Sequence, residues 1–138
     1  MITLGAHTRV YLAAGATDMR KAIDGLSVLV QDVLNQDPLS SHLFVFCNRA
    51  RDKVKVLFWH NNGFWLWYRR LERQRFWWPS SDAEAVTIEL SVRELGWLLE
   101  GLDVPQVKAH QRAESVSYTH LRAHETVTLI SYAVFCLK

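Results

Sequence analysis

The stretch Lys53–Glu72, KVKVLFWHNNGFWLWYRRLE, decides the fold. It opens with Lys53, Val54, Lys55 and Val56 in strict alternation, the spacing of a strand with one buried face. Asn62-Gly63 follows, a strong hairpin signal because both residues tolerate positive φ. Phe64–Glu72 is then the return strand. With Asn62 and Gly63 as the loop residues, Val54 faces Leu71, Val56 faces Arg69, Phe58 faces Trp67 and His60 faces Trp65. That side is mostly apolar and is expected to lie on helices. On the other side Lys53 opposes Glu72, Lys55 opposes Arg70, Leu57 opposes Tyr68 and Trp59 opposes Leu66. Lys55 against Arg70 is a like-charge pair, destabilising in isolation, and a phosphate between them would reverse that sign. The alternative is that both side chains splay into water and share Glu72 at little cost.

Upstream of the hairpin, Thr8–Ala14 reads as a short strand and Gly15-Ala16 as a turn. Thr17 or Asp18 is a good N-cap for a helix running to about Leu34. Its apolar positions Met19, Ala22, Ile23, Leu26, Leu29, Val30, Val33 and Leu34 step by three and four. His42–Asn48 is a β-branched and aromatic run, hence a strand. Downstream, a turn near Arg73 and Gln74 leads to Phe76, Trp77 and Trp78, and Pro79 ends that run. Ala85–Leu90 reads as a last strand. Ser91 with Glu94 three residues on is a capping box opening a helix with Leu95, Leu98, Leu99 and Leu102 as its stripe. The expected fold class is α+β: an antiparallel β meander with one long N-terminal helix and one C-terminal helix packed on one face.

At 138 residues the chain is expected to form one domain over residues 1–112, with residues 113–138 as a tail. Two cysteines, Cys47 and Cys136, exclude a disulfide scaffold. Val127–Leu137 is too short and too polar for a membrane span, which needs roughly 20 residues. The first residues show no secretory signal, so the cytoplasm is the expected compartment.

The net charge of +2 hides a strong asymmetry. Residues 43–79 carry Arg49, Arg51, Lys53, Lys55, Arg69, Arg70, Arg73 and Arg75 against only Asp52 and Glu72, and hold every tryptophan but Trp97. Residues 80–103 are acidic. Cations interleaved with rings fit a surface that meets a polyanion, with Trp59 and Tyr68 available for stacking. The competing reading is a solvated sheet face over an aromatic core. Arg20 and Lys21, in the expected first helical turn, oppose the helix dipole. Together with Gly15 and Thr17 they would suit a phosphate, unless Asp18 and Asp24 neutralise them.

Catalytic chemistry is not evident. His120 and His124 have metal-ligand spacing without the order of a zinc protease, and only two ligands. Asp18, Asp24, Asp82 and Glu84 have no context that singles them out for Mg²⁺. Cys47, inside a strand, reads as a core residue. No cofactor and no metal is expected.

Three segments share a more specific pattern: VYLAAGATDMRKAIDGLSVLV (Val10–Val30), DPLSSHLFVFCNRARDKVKVLFWHNNGFWLWYRRLERQRFWWP (Asp37–Pro79) and ELGWLLEGLD (Glu94–Asp103). The Thr-Asp-Met-Arg-Lys run with its following Asp-Gly, then Arg-Leu-Glu after the tryptophan strand, resembles the small accessory proteins encoded by insertion elements of the insertion sequence 66 class, second open reading frame, TnpB type. Gln74 departs from the family's usual glycine, and Asn61-Asn62 from a more acidic hairpin tip. The resemblance implies a non-catalytic helper in DNA transposition. Its expected partners are DNA at the element ends and the element's separate transposase, with no membrane. The alternative is an adaptor that docks on the transposase without touching DNA. The resemblance carries no catalytic residue across, and it stops near Ala113. Beyond that, VSYTHLRAHETVTLISYAVFCLK resembles translated cloning read-through, the alternative being a genuine variable or disordered arm. The expected nucleic-acid-binding residues are Arg20, Lys21, Arg49, Arg51, Lys53, Lys55, Trp59, Tyr68, Arg70, Arg73 and Arg75.

Overall fold

A computed structural model describes residues 7–80 and 85–113, the last three of these without their side chains. The expectations for the tail, for His120 and His124, for Cys136 and for Asp82 and Glu84 lie outside the described residues. Among the described residues, five strands form one sheet: β1 (Val10–Ala13), β2 (Leu43–Cys47), β3 (Lys53–His60), β4 (Gly63–Arg70) and β5 (Thr87–Leu90). Three short helices accompany them there: α1 (Ile23–Asp32), α2 (Val92–Leu99) and α3 (Val104–Ala113).

The strand order is β4-β3-β2-β1-β5. β1 runs parallel to β2, and every other pairing is antiparallel. This overturns the expected antiparallel meander: the sheet is mixed. The physical reason lies in the β1–α1–β2 crossover. A helix between two strands returns the chain to the end where it started, so the second strand pairs parallel to the first. The helices also do not share one face. In β2, Leu43, Val45 and Cys47 pack into a core with Leu95, Leu98 and Val104 of α2 and α3. The alternate residues Phe44 and Phe46 pack with Leu26 and Val30 of α1. All five β2 side chains are therefore buried, as the unbroken apolar run LFVFC requires of a strand covered on both sides.

The expected long N-terminal helix is also corrected. Helix α1 starts at Ile23, with Ala22 as an N-cap that makes no side-chain bond. Asp18 accepts hydrogen bonds from the backbone and side chain of Arg20 and so shapes a turn, not a helix start. In a continued helix, Met19 O and Lys21 O would accept from Ile23 and Gly25. Both carbonyls instead accept from Lys55 Nζ, at 2.7 and 2.9 Å. A strand lysine thus holds this segment out of the helix. The stripe itself is present, with Leu26, Val30 and Leu34 buried, while Val33 faces out.

The hairpin register differs by one loop position. The loop residues are Asn61 and Asn62, with φ of 47° and 61°, and His60 pairs with Gly63. Two asparagines in the left-handed region satisfy a tight hairpin as well as Asn-Gly would. Every cross-strand partner moves by two while each side chain keeps its face. Lys55 lies opposite Tyr68, and Lys53 lies opposite Arg70.

The capping box is as read: Glu94 N–H donates to Ser91 Oγ at 3.1 Å, and Ser91 N–H to Glu94 Oε1 at 3.3 Å. Helix α3 was not expected. Asp103 caps it through Gln106 N–H at 3.1 Å, and Val104 is buried. An acidic cap followed by proline at the second helical position is the signal that marks it.

Candidate nucleic-acid interface

The strand directions gather the cations at one end of the sheet. β1 and β2 finish there, β3 starts there and β4 finishes there. Lys53 and Arg70 face each other at that end, with Arg69 beside them. The β2–β3 loop adds Arg49 and Arg51, both exposed. It is shaped by Asn48, whose Oδ1 accepts from the N–H groups of Asp52 and Lys53 at 3.1 Å. Arg51 stands at φ 61°.

The irregular segment after β4 returns to the same place. Leu71 N–H donates to Asp52 O at 2.8 Å and Phe76 N–H to Arg51 O at 2.6 Å. These bonds bring exposed Arg73 and Arg75 beside the loop. The β1–α1 connection joins through Thr17 N–H to Cys47 O at 2.8 Å and through Lys55. Arg20 and Lys21 are thereby part of the basic end, although neither lies in a helical turn.

Not all of these cations are free. Arg20 pairs with Asp18 at 2.8 Å and Arg70 with Glu72 at 2.9 Å. Lys55 spends its ammonium on two carbonyls and sits 5.8 Å from the Tyr68 ring centroid. It acts as a structural tie, its ammonium held by the β1–α1 connection. Lys21, Arg49, Arg51, Lys53, Arg69, Arg73 and Arg75 have no ion pair among the described residues.

The local fields follow this arrangement. Hydrogen bonds from the Arg20 side chain and backbone lower the Asp18 carboxyl from its ordinary 3.8 to about 2, and Asp18 in turn raises Arg20. A depressed carboxyl keeps its pairing above the ordinary value and loses it only as pH falls through about 2. An NMR titration of the Asp18 side-chain carboxyl is expected to give a midpoint near that lower value. A midpoint at 3.8 would mean that the turn is open in solution. Asp52 is lowered chiefly by the Asn48 side-chain hydrogen bond, and Arg70 is raised chiefly by Glu72. Burial pushes the Cys47 thiol up to about 12, which suits a core residue and not a nucleophile.

The rings divide differently from the cations. Trp67, Phe76 and Trp78 are buried in the core on the α2 side, with Trp65 and Trp77 packed against it. Trp78 Nε1 donates to Ala13 O and Gly15 O at 3.1 and 2.9 Å. Most of the tryptophan signal in the basic segment is therefore core. Trp59 and Tyr68 do stand on the opposite face, but apart. Tyr68, 39% exposed, is near the basic end. Trp59 lies towards the hairpin tip, edge-on to Phe64 with centroids 4.9 Å apart. Strand spacing puts it roughly 20 Å from Lys53.

Among the described residues, no group of three or more metal-ligating side chains is assembled, and no helix is long and apolar enough to cross a membrane. Sequence reasoning missed the Lys55 tie, because a lysine in a strand shows only its charge, not the carbonyls it will meet.

Comparison with known proteins gives a consistent result. Residues 8–109 match the family model described as IS66 Orf2 like protein. The uncharacterized protein y4hO of Sinorhizobium fredii is 41% identical over 103 residues, 75% of this chain and 88% of that protein. The uncharacterized protein y4jC of the same organism is 31% identical over 108 residues, 78% of this chain and 91% of that protein. No solved structure matches.

Proposed function

Since the chain belongs to the IS66 Orf2-like family, whose role is that of a transposition-associated accessory protein, we propose that it assists transposition by binding DNA through the basic end of its sheet. One observation carries this reading. Guanidinium and ammonium groups without carboxylate partners converge from three separate connections onto one end of one sheet. Like charges gathered this way repel, and a polyanion relieves that cost. Tyr68 is placed to stack beside the same end, whereas Trp59 is too distant to share one short contact. No catalytic step is assigned to the chain; the strand chemistry belongs to the element's transposase.

The test is a gel-shift titration of the full chain on duplexes carrying element ends. If about six phosphates are neutralised, the log–log salt slope is about −5. Replacing Arg49, Arg51 or Arg73 by Glu is expected to reduce that slope by about 1 or more each and to weaken binding on all sequences alike. Arg9→Glu, at the opposite end of β1, should leave it unchanged. No binding at ~50 mM salt would sink the proposal.

The adaptor reading draws on Val28, 55% exposed on α1, and Val33, 47% exposed at its C-cap. A complex with the transposase that survives nuclease treatment, and is lost when these valines become Asp, would favour it.

A further inference from the structure

The two edges of the sheet are unlike. β5 is four residues long, and its Glu89 is held by Arg9 across the pair with β1 at 3.8 Å. Short length and charge are how an edge is closed to further pairing. β4 is eight residues long, and among the described residues no strand lies beyond it. It has no proline and no charge between Gly63 and Tyr68.

Its backbone can be read residue by residue. Leu71 N–H bonds Asp52 O, in register with the β3–β4 ladder. Bonded and non-bonded pairs alternate along an antiparallel ladder. The odd-numbered residues of β4 therefore bond to β3. Phe64, Leu66, Tyr68 and Arg70 turn their N–H and C=O groups outward. An unpaired row of this length is a template for another strand.

The charge pattern selects the occupant. Arg69 and Arg70 sit at one end of β4, while Gly63 and Phe64 at the other end are neutral. Parallel pairing with a second copy would stack arginine on arginine. Antiparallel pairing sets each Arg69-Arg70 against the other copy's neutral end and meets apolar residues with apolar residues between. Strand β4 is thus complementary to itself when reversed, the condition for a closed two-fold interface. We propose that two copies of the chain dimerise by antiparallel pairing of β4 with β4, centred at Trp67 so that Phe64 of each copy lies opposite Arg70 of the other, joining their sheets into one. In that dimer the two basic ends point in opposite directions, which, on the function proposed above, gives the pair two separate DNA contacts.

The test needs no DNA, so its failure and that of the DNA-binding reading are distinguishable. Nuclease-treated full chain is examined by sedimentation equilibrium at micromolar concentrations. The expected mass is twice the 16.0 kDa of the chain. Tyr68→Pro removes an outward N–H without breaking a β3–β4 ladder bond, together with the ring beside Lys55, and is tolerable on an edge strand; compared with Tyr68→Ala, which removes the ring but keeps the N–H, it should weaken self-association at least about tenfold. Phe64→Lys and Phe64→Glu cost similar packing against Trp59 and act as a paired control. The lysine should weaken the dimer and the glutamate, facing the second copy's arginines, should spare it. Circular dichroism checks that each variant is folded. A monomer throughout, a dimer indifferent to Tyr68→Pro in a folded chain, or equal losses for the two Phe64 variants would overturn the proposal.

Discussion

Phe76→Ala is expected to destabilise the fold by about 3–5 kcal/mol, the range for deleting a fully buried aromatic ring. Phe76 is 1% exposed although it belongs to no strand or helix. Its ring fills the core on the α2 side with Trp67, Trp78 and Leu98. Its N–H is bonded to Arg51 O, so the neighbouring backbone cannot close over the void without breaking that bond. A domain of this size has only about 5–15 kcal/mol of stability, so the variant should lose a large share of it. Urea unfolding monitored by circular dichroism gives the value. Val86→Ala, at a position 54% exposed, should stay within about 0.5 kcal/mol of the wild type. A small loss at Phe76 would mean that residues 71–79 are a loose connection and do not hold Arg73 and Arg75 in place.

Lys55→Met should cost about 2 kcal/mol, the scale of hydrogen bonds made by a charged donor. The methionine keeps the stem and its packing but leaves Met19 O and Lys21 O without their partner. The denaturation midpoint should fall with an unchanged slope. Amide exchange should rise through residues 15–22 more than in the strands. The salt slope of DNA binding should barely move, because this ammonium faces the protein. A variant as stable as the wild type, with a salt slope lowered by about 1, would reassign Lys55 to the phosphate contacts.

Periodicity and turn chemistry made much of this fold readable. The α1 stripe, the capping box at Ser91, the two faces of the hairpin and the positions of all five strands follow from local patterns. The parallel β1–β2 pair did not, because direction depends on the crossover that α1 makes and not on the residues within either strand. The hairpin register was ambiguous for a local reason: Asn61 accepts positive φ as readily as Asn62. At the candidate site, the cluster of basic residues was legible as composition but not as geometry. The sequence placed Lys53, Lys55 and Arg70 along the hairpin surface; the folded chain brings the exposed cations to its end and turns Lys55 inward. The tryptophans misled in the other direction, since a ring that stacks on a base and a ring that fills a core share one spelling.

The position of β1 bears on how the chain acquires this shape. It is made before the other described strands, yet it lies between β2 and β5, and its pairing of Val10 with Leu90 spans most of the described chain. During synthesis, one margin of this apolar strand stays bare until β5 has left the ribosome. Long-range closure of that kind slows folding and lengthens the exposure of sticky intermediates. A transcript cut short before Leu90 would thus yield a product that lacks β5 against β1, a target for chaperones and proteases and not a smaller working domain.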